Sequence, residues 1–498
     1  MALALVTALG GCTRGGSASS DGSPAAADAP QPTSTPTSLA GYYGQRLRWA
    51  GCDHGDQCAR LQVPLDYAHP DGQGIQLAIL KVPALDRAKR LGSMVINPGG
   101  PGASGVDYAT HARTVYGATI REAYDVVGFD PRGVGSSTAL TCLPDHQLDV
   151  VVASDPDPDT AAERRRSDQL TRQLGDGCLE RSGALTRHVS TIEVAKDLDI
   201  LRAALGDRKL TYFGASYGTS IGATYASIFP THVGRMVLDG ALDASVPLVR
   251  FNLVQAHGFE VALRSYVSAC VAKGDCYLGS TVDAGIARIQ QFLRDVEARP
   301  LRDRSGVVTI GLAVYGLYYP LYSQRLWPAL DRALQDAFAG NPGILRLLAY
   351  DYLGRSPTGH WDNELEAYDA VTCLDRDEGV PIDKVESYVP RFEKASPTFG
   401  RIFAYSLPLC SVWPVHSRRH PKRLHVTDAP PVLVVGTTRD PATPLVWAQS
   451  LHRQIARSVL VTRNGDGHTG YNSGNSCVDT TVESYLVDGT VPGEDVSC

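Results

Sequence analysis

Between residues 74 and 239 the chain alternates short β-favouring runs with stretches of helical spacing, and this alternation constrains the fold more than any other feature. Residues 74–84 (GIQLAILKVPA), 93–97 (SMVIN), 124–129 (YDVVGF), 209–213 (KLTYF) and 235–239 (RMVLD) read as strands. Residues 191–205 carry apolar side chains at helical spacing, and a second helix is expected from about Tyr217. The rhythm resumes with a strand over 431–436 (PVLVVG), a helix over 444–455 and a strand over 458–462 (SVLVT). Strands separated by helices cannot pair as hairpins, so they line up in parallel with the helices on both faces. The expectation is an α/β fold, a doubly wound and mostly parallel sheet. Residues 246–415 break the pattern and read as mainly helical, clearest over 259–271, 286–298 and 326–338. They form a lid inserted after the sixth strand, dividing the sheet domain into 41–245 and 416–498.

The cysteines bear on the compartment. There are eleven in 498 residues, and no two form a C-x-x-C pair, which argues against zinc ribbons and thioredoxin-like sites. Ten would be unusual in a reducing cytosol and would make five disulfides in an exported chain. Pairing neighbours minimises loop length and gives Cys52–Cys58, Cys142–Cys178, Cys270–Cys276, Cys373–Cys410 and Cys477–Cys498, although ten cysteines allow many other connectivities. The eleventh, Cys12, ends the run Leu9-Gly10-Gly11-Cys12 after an apolar stretch. Residues 1–12 thus resemble the end of a signal peptide with a lipobox, in which Cys12 takes a lipid and anchors the chain to the membrane surface. The n-region of such a signal should carry Lys or Arg, and none stands before the apolar run. Residues 13–40 are almost all small or polar and are expected to be a disordered tether. No run of 18 apolar residues exists, so no spanning helix is expected. With 47 basic against 53 acidic residues, the net charge of −6 gives no support for a nucleic-acid partner.

The chemistry begins at Gly214-Ala215-Ser216-Tyr217-Gly218, between the 209–213 strand and the following helix. In this G-x-S-x-G the glycines permit a turn tight enough to hold the serine hydroxyl above the sheet. Gly218-Thr219-Ser220-Ile221-Gly222 fits the same pattern, but Ser220 falls one turn inside the helix, where a packing role or a hydrogen bond back to the helix is expected. A serine nucleophile needs a base and an orienting acid, which in such a sheet follow in the order Ser, Asp, His. Asp440 follows the 431–436 strand and His468 follows the 458–462 strand, each in a Gly- or Pro-rich loop at a strand's carboxyl end. Asp239 is the alternative acid. The glycine-rich run 97–105 (NPGGPGASG) can offer backbone N–H groups to an oxyanion, with the Tyr217 N–H as the second donor. His416 and His420 stand four apart but among Arg and Lys, with Pro421 following, so no metal site is expected there.

The Pro-Gly-Gly-Pro-Gly core at 98–102, the segment 129–137 (FDPRGVGSS) and GASYG together resemble the prolyl-aminopeptidase branch of the α/β-hydrolases. The Asp440-Pro-Ala-Thr443-Pro motif, the Gly467-His468 loop and the C-terminal cysteines are similar to those of the secreted tripeptidyl aminopeptidases and cell-envelope serine proteases of actinobacteria. The resemblance covers residues 41–498. It implies an α/β-hydrolase fold and a Ser216–Asp440–His468 triad, with an oxyanion hole from Gly100 and the Tyr217 N–H. It also implies an exported enzyme that releases short peptides from free N-termini, without metal or cofactor. Some members are carboxylesterases, so an esterase with the same triad is the alternative. An aminopeptidase must recognise an ammonium, and the segment 362–378 is rich in acids that could do so: Asp362, Glu364, Glu366, Asp369, Asp375, Asp377 and Glu378. The sequence does not choose among them, and it leaves the oligomeric state open.

Overall fold

The protein is described by a computed structural model covering residues 29–31, 35–304, 306–376, 378–417 and 420–498. Cys12, Asp377 and most of the expected tether lie outside the described residues. A capped helix, Leu39–Tyr43, takes in the last two residues of that expected tether, because Tyr42 is fully buried against the sheet domain.

The strands are β1 (Ala50–Gly51), β2 (Gln57–Pro64), β3 (Gly74–Val82), β4 (Gly92–Asn97), β5 (Tyr124–Phe129), β6 (Leu210–Ala215), β7 (Val233–Asp239), β8 (Leu301–Asp303), β9 (Gly306–Val308), β10 (Val432–Arg439), β11 (Ser458–Asp466) and β12 (Val496–Ser497). Ten of them form one sheet in the order β1-β2-β3-β5-β4-β6-β7-β10-β11-β12. From β5 to β12 all pairings are parallel, while β1, β2 and β3 add an antiparallel edge. The chain is thus an α/β-hydrolase-type sheet, as its alternating pattern predicts. Strand β2 escapes that pattern because it joins β3 through a nine-residue turn rather than a helix.

The parallel strands are apolar throughout because both faces are covered. On β10, Val432 and Val434 enter one core while Leu433 and Val435 enter the other. The lid occupies the interval between β7 and β10. The β7 strand is the sixth when the two-residue edge β1 is left out of the count. The lid is mainly helical, with one small ribbon, β8 against β9. Its helices include Leu248–Val271, Val282–Ala298, Ile310–Leu321, Trp327–Phe338, Gly343–Leu353 and Glu364–Asp375. Helix Ile310–Leu321 is buried on nearly every side, so it has no polar face and gives no amphipathic signal. The five expected cysteine couples are all joined, with Cα–Cα separations of 3.8–5.9 Å. Among the described residues no helix is long and apolar enough to cross a membrane.

Candidate active site

Strand β6 ends at Ala215 and the helix Tyr217–Ile228 starts two residues later, leaving Ser216 alone in the turn at φ 55°, ψ −126°. So tight a turn brings helix and strand together. A Cβ on Gly214 would lie 2.4 Å from the Gly218 carbonyl, and one on Gly218 would lie 2.6 Å from the Asn97 carbonyl. The Ser216 N–H donates to the Asp239 carbonyl at 2.9 Å, tying the turn to the end of β7. Ser216 is partly exposed, whereas Ser220 is 4% exposed and its hydroxyl has no partner. Of the two matching serines only the first can meet a substrate.

Asp440 and His468 follow β10 and β11, adjacent parallel strands whose carboxyl ends lie side by side. His468 Nδ1 donates to both Asp440 oxygens at 2.9 Å. The same carboxylate accepts from the N–H groups of Ala442 (2.9 Å), Thr443 (2.8 Å) and Thr469 (3.2 Å) and from the Thr443 hydroxyl (3.0 Å). Asp440 is 1% exposed, so this ring of donors is what solvates its charge. With the proton on Nδ1, Nε2 carries the lone pair, and it is buried without a hydrogen-bond partner. The ring stands near the nucleophile turn, since a Cβ on Gly240, next to Asp239, would lie 3.1 Å from His468 Cε1. The lid grips this histidine. Tyr322 meets its ring edge-on at 5.3 Å between centroids, and the Tyr322 carbonyl accepts the His468 N–H at 2.8 Å.

Asp239, the alternative acid, does not reach the imidazole. Its carboxylate accepts from the N–H groups of Gly470 (2.7 Å) and Tyr471 (2.9 Å) and so holds the loop that carries His468. Burial pushes its pKa up to about 6.

The glycine-rich loop after β4 packs directly on the nucleophile turn. A Cβ on Gly99 would lie 2.8 Å from Ser216 Cβ and from the Tyr217 nitrogen, and φ at Gly99 and Gly100 is +107° and +101°. The Gly99 N–H is taken by the Asn97 side chain at 3.0 Å. The segment 129–137 braces this loop. Asp130 accepts from the Ser104 hydroxyl (2.5 Å) and from the N–H groups of Val106 (3.0 Å) and Ser136 (2.7 Å). Arg132 is fully buried against Asp197, with both N–O distances 2.7 Å, and donates to the Pro64, Leu65 and His188 carbonyls. Both residues of that motif therefore serve the scaffold.

The acidic segment separates by partner. Glu366 accepts from the N–H groups of Cys142 and Leu143 at 2.8 Å each. Asp362 accepts from the Glu364 N–H at 3.0 Å. Asp375 accepts from the Thr191 N–H at 2.9 Å, and the Thr191 hydroxyl bridges it to the Tyr217 hydroxyl. Glu378 accepts from the Leu248 N–H at 2.6 Å. Sequence reasoning did not single out Asn97, Tyr322 or Thr443 for a role. Only Thr443 left a signal there, its place three residues after the acid.

A nucleophile turn at the centre of a parallel sheet, with a buried Asp–His pair on neighbouring strand ends, defines a serine hydrolase of the α/β-hydrolase class. Comparison with known proteins narrows the class. The family described as TAP-like protein matches residues 396–498. Serine protease Hip1 of Mycobacterium tuberculosis is 36% identical over 486 residues, covering 91% of each chain. Carboxylesterase B of the same species is 35% identical, over 89% of this chain and 86% of its own. The tripeptidyl aminopeptidase of Streptomyces lividans is 32% identical, over 89% of this chain and 83% of its own. The chain belongs to the tripeptidyl-aminopeptidase-like serine peptidases of the α/β-hydrolase superfamily.

Proposed function

We propose that this serine peptidase releases short peptides, tripeptides foremost, from the free N-termini of peptide or protein substrates outside the cytoplasm. The Ser216 hydroxyl attacks the scissile carbonyl carbon while His468 Nε2 takes its proton. The oxygen, now negative, accepts from the N–H groups of Gly100 and Tyr217. Collapse of this intermediate breaks the C–N bond, and the imidazolium returns the proton to the departing amine. Water then attacks the acyl-enzyme by the same sequence and frees the N-terminal fragment. Asp440 holds the imidazole tautomer and stabilises its cationic form throughout.

The observation that carries this reading is the lid's direct hold on the catalytic histidine through Tyr322, which brings the large insertion up to the site, where it can restrict access to chain ends. The five disulfides support an oxidising compartment, and the lipobox-like Leu9–Cys12 supports attachment to the cell envelope by a lipid on Cys12. Tripeptide p-nitroanilides with a free amine should be turned over faster than the same peptides N-acetylated, and the advantage should shrink as the amine deprotonates above about pH 8. Equal rates on both would overturn it. Better turnover of simple acyl esters than of either peptide would favour the carboxylesterase reading, to which the similarity to carboxylesterase B lends support.

A further inference from the structure

The lid helix Glu364–Asp375 is fastened to the sheet domain at both ends. At its start Asn363 donates to the Gly133 and Leu140 carbonyls (2.7 and 2.9 Å) and accepts the Gly135 N–H (2.9 Å). Its first turns press on the glycine-rich loop, since a Cβ on Gly102 would lie 2.5 Å from the Glu364 carbonyl and 3.2 Å from Ala367 Cβ. Near its end Cys373 is joined to Cys410. Its last residue, Asp375, meets the helix Thr191–Leu205, whose first N–H groups have no acceptor inside that helix. One Asp375 oxygen accepts the Thr191 N–H at 2.9 Å, and the other accepts the Thr191 hydroxyl.

The chain of contacts continues to the nucleophile turn. The Thr191 hydroxyl oxygen lies 2.5 Å from the Tyr217 hydroxyl, and both side chains are buried. A carboxylate only accepts, so the Thr191 proton is committed to Asp375 and the Tyr217 hydroxyl donates to Thr191. Tyr217 is also the residue after the nucleophile. Its N–H opens a helix and has no intrahelical acceptor, which leaves it free for the reacting oxygen. The peptide bond that carries this N–H begins at Ser216, at φ 55°, a conformation that a serine keeps only where its surroundings over-determine it. On one side the turn is tied by the Ser216 N–H to the Asp239 carbonyl. On the other it is tied by the Tyr217 side chain, whose far end Thr191 holds.

We propose that Thr191 and Asp375 are positioning residues for the reaction: they anchor the Tyr217 side chain and so aim its N–H at the oxygen that becomes negative, which makes the lid helix part of the support of the oxyanion hole. The proposal rests on the oxyanion role given to the Tyr217 N–H above. A preorganised donor is effective because it needs no reorientation as the charge develops, and a donor free to tilt loses part of that advantage. The ground-state carbonyl carries no such charge, so loss of the anchor falls on kcat rather than on KM.

The test measures kcat and KM on a free-amine tripeptide p-nitroanilide, per site titrated with a fluorophosphonate. It also measures inhibition by the trifluoromethyl ketone of the same peptide, whose serine adduct holds an oxyanion, against the plain methyl ketone. The wild type should bind the trifluoromethyl ketone at least about 100-fold more tightly, as a transition-state analogue. Tyr217→Phe and Thr191→Val should each lower kcat by about tenfold, less than the 10²–10³ lost when a donor is removed outright, with KM within about twofold. Both should weaken the trifluoromethyl ketone by the same factor and leave the methyl ketone unchanged. The double variant should be no worse than either single one, because one bond is lost in all three. Thr191→Ser, which restores the hydroxyl, should recover most of kcat. Tyr217→Phe removes a single oxygen and so guards against a folding defect in the valine variant. Full kcat in Tyr217→Phe, an effect confined to KM, or losses that multiply in the double variant would overturn the proposal and leave the oxyanion role of the Tyr217 N–H intact. Equal binding of the two ketones by the wild type would overturn that role itself.

Discussion

Replacing Asp440 by asparagine tests the arrangement of the site most sharply, because its consequence can be worked out donor by donor. Oδ1 accepts from the N–H groups of Ala442 and Thr443, and an amide oxygen in that place keeps both bonds. The amide nitrogen then falls where Oδ2 now accepts from the Thr443 hydroxyl and the Thr469 N–H. The hydroxyl can rotate to accept, but the Thr469 N–H faces another donor, an unsatisfied pair that costs about 1–3 kcal/mol of stability. The larger effect is on the histidine. Nδ1 bonds both oxygens as a donor. Facing an NH2 group, it is better satisfied as an acceptor, so the proton moves to Nε2 and the base can no longer receive the serine proton. The same substitution in another serine protease lowers kcat by about 10⁴, or about 5.4 kcal/mol. Asp440→Asn should do likewise here, measured as kcat on a free-amine tripeptide p-nitroanilide alongside the rate of fluorophosphonate labelling. Asp239→Asn should lose no more than about tenfold in kcat, since Asp239 does not touch the imidazole; its amide oxygen keeps one of the two loop N–H bonds and leaves the other facing a donor, at a cost of about 1–3 kcal/mol of stability. Retention of more than a tenth of kcat in Asp440→Asn, or an equal collapse in Asp239→Asn, would refute this account of the pair.

Four further outcomes are expected. Ser216→Ala should abolish hydrolysis and fluorophosphonate labelling while Ser220→Ala keeps most of both, and a label mapped to Ser220 would reverse the assignment. Gly99→Ala should lower kcat by about 10²–10³, the effect of losing an oxyanion donor, because its Cβ would sit 2.8 Å from Ser216 Cβ and the Tyr217 nitrogen; near-normal kinetics would show that the loop can yield. Removing the Cys373–Cys410 bridge by a double serine substitution should cost about 4 kcal/mol in denaturant unfolding, since it closes a loop of 37 residues, and an unchanged unfolding midpoint would contradict it. Asp157, whose carboxyl oxygen lies within 4.8 Å of those of Asp155 and Glu297, is pushed up to about 8 by burial, with Asp155 and Glu297 adding to it. A raised folded-state value means that native stability is full below the ordinary aspartate range and falls as pH rises towards 8. Asp157→Asn should therefore stabilise the protein by at least about 1 kcal/mol at pH 8 and give no gain at pH 4, and a gain independent of pH in thermal melts would argue against the shift.

The sequence alone determined the parallel sheet, because a strand buried on both faces must be apolar throughout while the helices between strands keep their 3.6-residue period. It also put Ser216, Asp440 and His468 in order at strand ends, where glycine- and proline-rich loops leave an unmistakable local signature. Local patterns failed where burial erased them. Helix Ile310–Leu321 shows no polar face, and β2 joins β3 without the helix that the alternation leads one to expect. Other features depend on residues far apart in sequence and left no pattern to read. Asp440 and Asp239 both follow strands and look equivalent in the chain. Only the adjacency of β10 and β11 shows that the first meets the imidazole, while the second holds the backbone behind it. In the same way seven acids crowd residues 362–378, and composition cannot rank them. Six are described; tertiary contacts tie Glu366, Asp375 and Glu378 to backbone donors far away in the chain, Asp362 takes the Glu364 N–H two residues on, and Glu364, some 260 residues from Gly100, comes to rest on the glycine-rich loop. A side chain's chemistry is fixed by its type, but its task is fixed by the donors and charges that the fold brings within about 3 Å of it.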